Sequence, residues 1–190
     1  MKQLMMWAVI VFMAACENGA DKTAEPVATT PADNGNRYSA GFSQRFDDVL
    51  KGYYQLKDAL VASDTAAANI ATRLLKLKLD SLSLAEVQQA DSVAFASVSG
   101  RPGDIAAELT GLLGEADLEK KRESFELVSN AMYDVVRSVR PGGQTIYYQY
   151  CPMAFNDKGA YWLSNADSIR NPYFGKKMLT CGEVVATLRY

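Results

Sequence analysis

The sequence predicts a mainly α fold, an antiparallel helical bundle of about four main helices closed by a small C-terminal β-hairpin and loop cap. Three observations lead there. From Phe42 to Val139 apolar residues recur at steps of three and four, the period of a helix with one buried face. After Arg140-Pro141-Gly142-Gly143 the period is lost, and a run of β-formers begins with Thr145, Ile146, Tyr147 and Tyr148. Ahead of Phe42 the chain carries a Pro-, Ala- and Thr-rich stretch with too little apolar surface to fold.

The helices follow in order. Phe42, Phe46, Val49, Tyr53, Leu56 and Leu60 form the first stripe, widened by Leu50, Tyr54 and Val61. Ser63-Asp64-Thr65 breaks it, and Asp64 or Thr65 is placed to cap a second helix over 66–82. There Ile70, Leu74 and Leu77 line one side, Ala71, Leu75, Leu79 and Leu82 lie beside them, and Arg73, Lys76 and Lys78 face out. Residues 84–98 read as one weaker helix with Val87, Ala94, Phe95 and Val98 inward. Gly100-Arg101-Pro102-Gly103 reads as its stop, after which Asp104 caps a short helix carrying Ile105, Leu109 and Leu112. The last helix spans about 117–139, with Leu118, Phe125, Val128, Met132, Val135 and Val139 inward. Its charged stretch from Glu119 to Glu126 reads as a solvated face, and every apolar stripe reads as core. In the cap, 144–150 and 160–163 read as two strands around the turn Asn156-Asp157-Lys158-Gly159. Residues 183–188 read as a strand or a helical turn.

The N-terminus reads as an address. Residues 1–15 hold Lys2, an apolar run over 4–13, and Ala14-Ala15 directly before Cys16. The run is too short to span a bilayer, and the small residues before a cysteine resemble a bacterial lipobox. That resemblance implies cleavage before Cys16 and lipid attachment to it, which anchors the chain in a membrane. Residues 16–40 then form a lipidated cysteine and disordered tether, able to reach about 65 Å when extended. Residues 41–190 form a single domain whose cap is 144–190. The expected location is the bacterial cell envelope. Glu17 is not the aspartate associated with inner-membrane retention, which favours the outer membrane facing the periplasm.

Totals exclude several function classes. The 190 residues carry a formal net charge of −2, so nothing favours nucleic-acid binding. There are no histidines, which removes His-based nucleophilic catalysis, the commonest neutral-pH general base and His-based metal sites. No carboxylate pair stands out by spacing, so the chain reads as not an enzyme.

What remains is sulfur. Cys151-Pro152-Met153 and Met178-Leu179-Thr180-Cys181 each pair a thiol with a thioether. With Cys16 consumed by lipid, Cys151 and Cys181 are an even pair in a compartment that oxidises thiols. Two readings stand. Cys151, Met153, Met178 and Cys181 together make a soft donor set suited to Cu(I) or Ag(I), and less to Zn²⁺. Alternatively, Cys151 and Cys181 form a disulfide that staples a non-catalytic domain, with the methionines as apolar filler.

Tyr150-Cys151-Pro152-Met153, Gly159-Ala160-Tyr161-Trp162-Leu163-Ser164, Asn171-Pro172-Tyr173-Phe174-Gly175 and Lys177-Met178-Leu179-Thr180-Cys181-Gly182 together resemble an uncharacterised bacterial domain family. The stretch with Arg122, Phe125 and Ser129 resembles the helix preceding that motif. The family is found in lipoproteins and fused to the membrane-fusion (adaptor) subunits of copper/silver efflux pumps. The resemblance implies a periplasmic domain linked to transition-metal handling, with such adaptors as partners. Relatives often place histidine where this chain has Tyr150. The aromatics Tyr147, Tyr148, Tyr150, Phe155, Tyr161, Trp162, Tyr173 and Phe174 crowd the cap. They read as local core or, if exposed, as a partner surface.

Overall fold

The computed structural model describes Ala28–Thr29 and residues 37–190. Four long helices, α1 (Ala40–Ala62), α2 (Thr65–Asp80), α5 (Arg101–Gly114) and α6 (Leu118–Val139), make the bundle. Between them lie two short helices, α3 (Ala85–Ala90) and α4 (Ser92–Val98). The cap carries strands β2 (Thr145–Cys151), β3 (Ala160–Ser164) and β4 (Glu183–Arg189), and β1 (Ala28–Thr29) adds an edge. The sheet order is β1-β4-β2-β3, antiparallel except for β1, which pairs in parallel with Ala186 and Thr187 of β4. Residues 183–188 are therefore a strand.

Side-chain caps set the helix boundaries. Ser39 accepts from the Phe42 N–H at 3.1 Å, Asp64 from Ala67 at 2.9 Å, and Asp117 from Glu119 at 2.8 Å. The segment 84–98 is two helices, because Asp91 leaves helical geometry and accepts from Val93 at 3.1 Å and Ala94 at 2.9 Å. Gly100-Arg101-Pro102-Gly103 starts a helix where a stop was expected. Pro102 sits in the first turn of α5, where its missing N–H costs nothing.

Packing inverts part of the α2 reading. Ala68, Ala71, Leu75 and Leu79 are buried against α1 and α5, whereas Ile70, Leu74 and Leu77 are 59%, 43% and 67% exposed. The domain also begins earlier than residue 41. Tyr38 is buried and donates to the Val139 carbonyl at 2.8 Å, so residues 38–40 belong to the fold. Ala28–Thr29, expected to be disordered, pair with β4. The expected signal peptide over 1–15, the expected lipid site Cys16 and the tether stretches 17–27 and 30–36 lie outside the described residues.

The charged face of α6 is not wholly solvated. Lys121 and Arg122 are buried. Lys121 donates to Asn69 at 2.8 Å and to the Leu112 carbonyl at 2.7 Å, adding a second donor to an acceptor that the Glu115 N–H also reaches at 3.3 Å in the last turn of α5. Arg122 reaches further. Its Nε donates to Pro172 O at 2.8 Å, one terminal nitrogen to Leu60 O at 3.2 Å and Ser63 Oγ at 3.1 Å, and the other to Glu119 at 2.6 Å. One guanidinium thus ties α6 to the C-terminal end of α1 and to the cap loop. Gly175 lets the loop come that close. It has φ +56°, and a Cβ there would lie 2.6 Å from Ser63 Oγ and 2.8 Å from Arg122.

Removing Arg122 takes the donor from the Pro172 carbonyl and the Ser63 hydroxyl and leaves the Leu60 carbonyl only its bond from the Ser63 N–H. Arg122→Ala is expected to lower unfolding stability by about 3 kcal/mol, read by urea denaturation. Glu119→Gln, at the exposed end of the same network, is expected to cost under about 1 kcal/mol.

Candidate functional site: paired thiols beside a thioether-lined cleft

Sheet register brings the two sulfur motifs together. Tyr150 pairs with Glu183 across β2 and β4, so Cys151 runs on past that pair opposite the residues that precede β4. The Cys151 and Cys181 Sγ atoms lie 2.9 Å apart, and both thiols are free. Cys151 is fully buried and Cys181 is half-buried. Gly182, at φ +137°, permits this approach. A Cβ there would stand 2.6 Å from the Tyr150 carbonyl oxygen and 2.9 Å from the Trp162 ring.

Asn171 fixes the loop that delivers Cys181. It is buried, and its Nδ2 donates to the Cys181 carbonyl at 2.7 Å. Its Oδ1 accepts from Tyr173 at 2.8 Å and Phe174 at 3.2 Å, and its own N–H reaches Leu179 O at 2.8 Å. One side chain therefore closes both ends of the 171–181 loop, an Asx-type use of Asn before proline. A 3₁₀ turn over Gly175–Met178 follows, and the Cys181 N–H bonds the Met178 carbonyl at 3.1 Å. That keeps the two sulfur residues on one turn, as their spacing predicts.

On the other motif, Cys151-Pro152-Met153 leads into a left-handed turn at Phe155, Asn156 and Asp157 (φ 54°, 58° and 63°). The turn helps line a cleft of about 530 Å³ whose walls include Met153, Met178, Glu119, Glu123, Asp157 and Phe174. Met153 is 46% exposed and Met178 half-buried. Met153 and Met178 thus line one cleft, which neither Cys151 nor Cys181 lines, and each methionine lies two or three residues along the chain from one of the paired thiols.

The aromatics divide into two sets. Trp162 and Tyr173 are buried and pack edge to face at 5.8 Å, with Phe155 against Tyr173 at 5.2 Å. Tyr173 also donates to the Tyr161 carbonyl. This set is core. Tyr133, Tyr148, Tyr161 and Tyr150 instead form a stacked row on the other side of the hairpin, with ring centroids 3.8, 4.9 and 4.4 Å apart. Arg137 closes the row over Tyr133 at 5.5 Å. Beneath the hairpin, the Tyr53 hydroxyl accepts from the Leu163 N–H at 3.1 Å and bonds Ser129 at 2.7 Å.

Sequence reasoning singled out all four sulfurs and named Arg122 and Asn171 only as parts of the resemblance, without their roles, and it did not find the carboxylates of the cleft wall. Arg122 had a signal, since it lies three residues before Phe125 and seven before Ser129, on the inward stripe.

The hydrogen bond from Cys151, then burial, then the charge of Cys151 push the Cys181 thiol up to about 11. At neutral pH Cys181 in the reduced pair is therefore a protonated, weak nucleophile. Cys151→Ala removes the largest cause. Cys181 is then expected to form thiolate at lower pH, read by thiolate absorbance or by the pH dependence of alkylation. An unchanged midpoint would mean the thiols do not interact.

No curated protein and no solved structure matches the chain. A family model does match residues 49–144, a span that runs from α1 through the end of α6 and stops at the threshold of β2. The thiols and thioethers lie beyond it. With half of its length covered by that match, the chain belongs to the family described as Protein of unknown function (DUF3347).

Proposed function

We propose that this protein is a lipid-anchored component of the bacterial cell envelope that binds a soft monovalent metal ion, Cu(I) or Ag(I). Its role is to buffer the ion or hand it to efflux machinery. The observation that carries the reading is the convergence of sulfur: Cys151 and Cys181 are 2.9 Å apart, while Met153 and Met178 line one adjoining cleft. Thiolate and thioether donors select these ions by softness, and the absence of histidine leaves no imidazole to favour zinc or Cu(II). The reduced pair binds metal by giving up its protons, so metal capture and proton release are linked. Cys16 is the lipid attachment point and outer membrane facing the periplasm is the location. Copper/silver efflux adaptors are the partners that the family resemblance suggests.

A second reading is favoured by the same contact. Thiols this close, one of them buried, are placed to form a disulfide across a separation of 30 residues. Such a bridge stabilises the cap by roughly 3–4 kcal/mol on the chain-entropy model. The protein is then a non-catalytic interaction domain, with the half-buried tyrosine row as its aromatic surface.

Competitive titration of the reduced protein with Cu(I) against a chelator separates the two. On the metal reading, Cys151→Ser and Cys181→Ser abolish tight binding, and Met153→Leu with Met178→Leu weakens it roughly tenfold or more, about 1.4 kcal/mol. Unchanged affinity in the double Leu variant overturns the four-sulfur site. Mass spectrometry of protein from native envelopes tests the anchor. Acylated Cys16 at the N-terminus is expected, and an unmodified or uncleaved N-terminus contradicts it.

A further inference from the structure

We propose that the Cys151–Cys181 pair is a stoichiometric two-electron reductant of Cu(II), and that the cleft lined by Met153 and Met178 retains the Cu(I) it produces. The reduction stands on the thiol geometry. Only the retention step rests on the soft-metal reading above. In the balanced step, two Cu(II) ions each accept one electron. The two S–H bonds break, one S–S bond forms, and two protons leave to water.

Four features favour this reaction here. The sulfurs already face each other at 2.9 Å, and each is held by its own strand or loop, so bond formation needs no movement of the sheet. Access is asymmetric. Cys151 is buried, so a dissolved ion meets Cys181 first and Cys151 follows from behind. The chain contains no histidine, so no imidazole competes with the thiols for Cu(II). Once the thiols are spent in the disulfide, Met153 and Met178 remain as the soft, uncharged donors of a cleft that also holds Glu119, Glu123 and Asp157, so retention of Cu(I) rests on the two thioethers alone.

The test uses the full chain, reduced and freed of reductant without oxygen, then mixed with copper(II) sulfate. A weak chromogenic Cu(I) chelator and a thiol assay follow the reaction. The expected result is two Cu(I) formed per chain, loss of both thiols and an intramolecular disulfide by mass spectrometry. Cys151→Ser and Cys181→Ser should each slow Cu(I) formation roughly tenfold or more, because a lone thiol must wait for a second chain. Met153→Leu with Met178→Leu should form Cu(I) with unchanged yield but release it to the chelator at once.

Thiols that survive Cu(II), or single-cysteine variants as fast as the wild type, overturn the reduction. Disulfide and Cu(I) formed without retention leave the reduction standing and remove the thioether site. Reduced protein that binds Cu(I) yet is inert to Cu(II) keeps the soft-metal reading and removes this one.

Discussion

A single buried guanidinium joins the two halves of this protein. Arg122 projects from α6 into the junction where α1 ends and the cap loop begins, and it donates to Leu60 O, Ser63 Oγ and Pro172 O there. Those acceptors sit at a helix terminus and in an irregular loop, where Leu60 O otherwise receives only the Ser63 N–H at 3.1 Å. Burying a cation there is costly unless its donors are used. Arg122 uses them on two separate segments, the end of α1 and the cap loop, and directs the remaining nitrogen to the exposed Glu119 carboxylate. Arginine suits the position because its planar fork holds five donors in fixed directions, enough for four acceptors at once.

The sulfur geometry depends on that junction. Pro172, held by Arg122, follows Asn171, whose side chain closes the 171–181 loop and bonds the Cys181 carbonyl. From there the register of β2 against β4 and the close approach at Gly182 bring Cys181 onto Cys151. The chain of cause therefore runs from an α6 side chain, through one loop, to a thiol pair. It also explains how a helical segment and a cap far from it in sequence act as one unit. Phe125 stacks on Tyr53 at 5.3 Å and meets Tyr173 at 6.0 Å, so the aromatic core crosses the same boundary.

Much of this was legible in the sequence, for identifiable reasons. The stripes of α1 and α6 were read correctly because one broad apolar face per helix has a single way to be buried. The hairpin was legible because β-formers flank a turn sequence. The α2 face was misread because periodicity shows that a stripe exists but not which half of a wide stripe packs. There the small Ala68 and Ala71 approach the bundle, and Ile70, Leu74 and Leu77 do not. The break at Asp91 was missed because a side-chain cap inside a weak helix looks like any polar residue. Arg122 was hidden by its charge, although its spacing put it on the inward stripe. The sulfur motifs were visible by composition, but their separation of 30 residues says nothing of distance without the sheet register.

The central claim of the proposed function is that the sulfurs of Cys151, Cys181, Met153 and Met178, and not the carboxylates of the cleft wall, hold a soft metal ion. Copper X-ray absorption of the reduced protein loaded with one equivalent of Cu(I) tests it most directly. The account predicts a first shell of sulfur alone, with a contribution lost when Met153 and Met178 are replaced by leucine. A shell containing nitrogen or oxygen donors, or copper that washes out with a weak chelator, would contradict it.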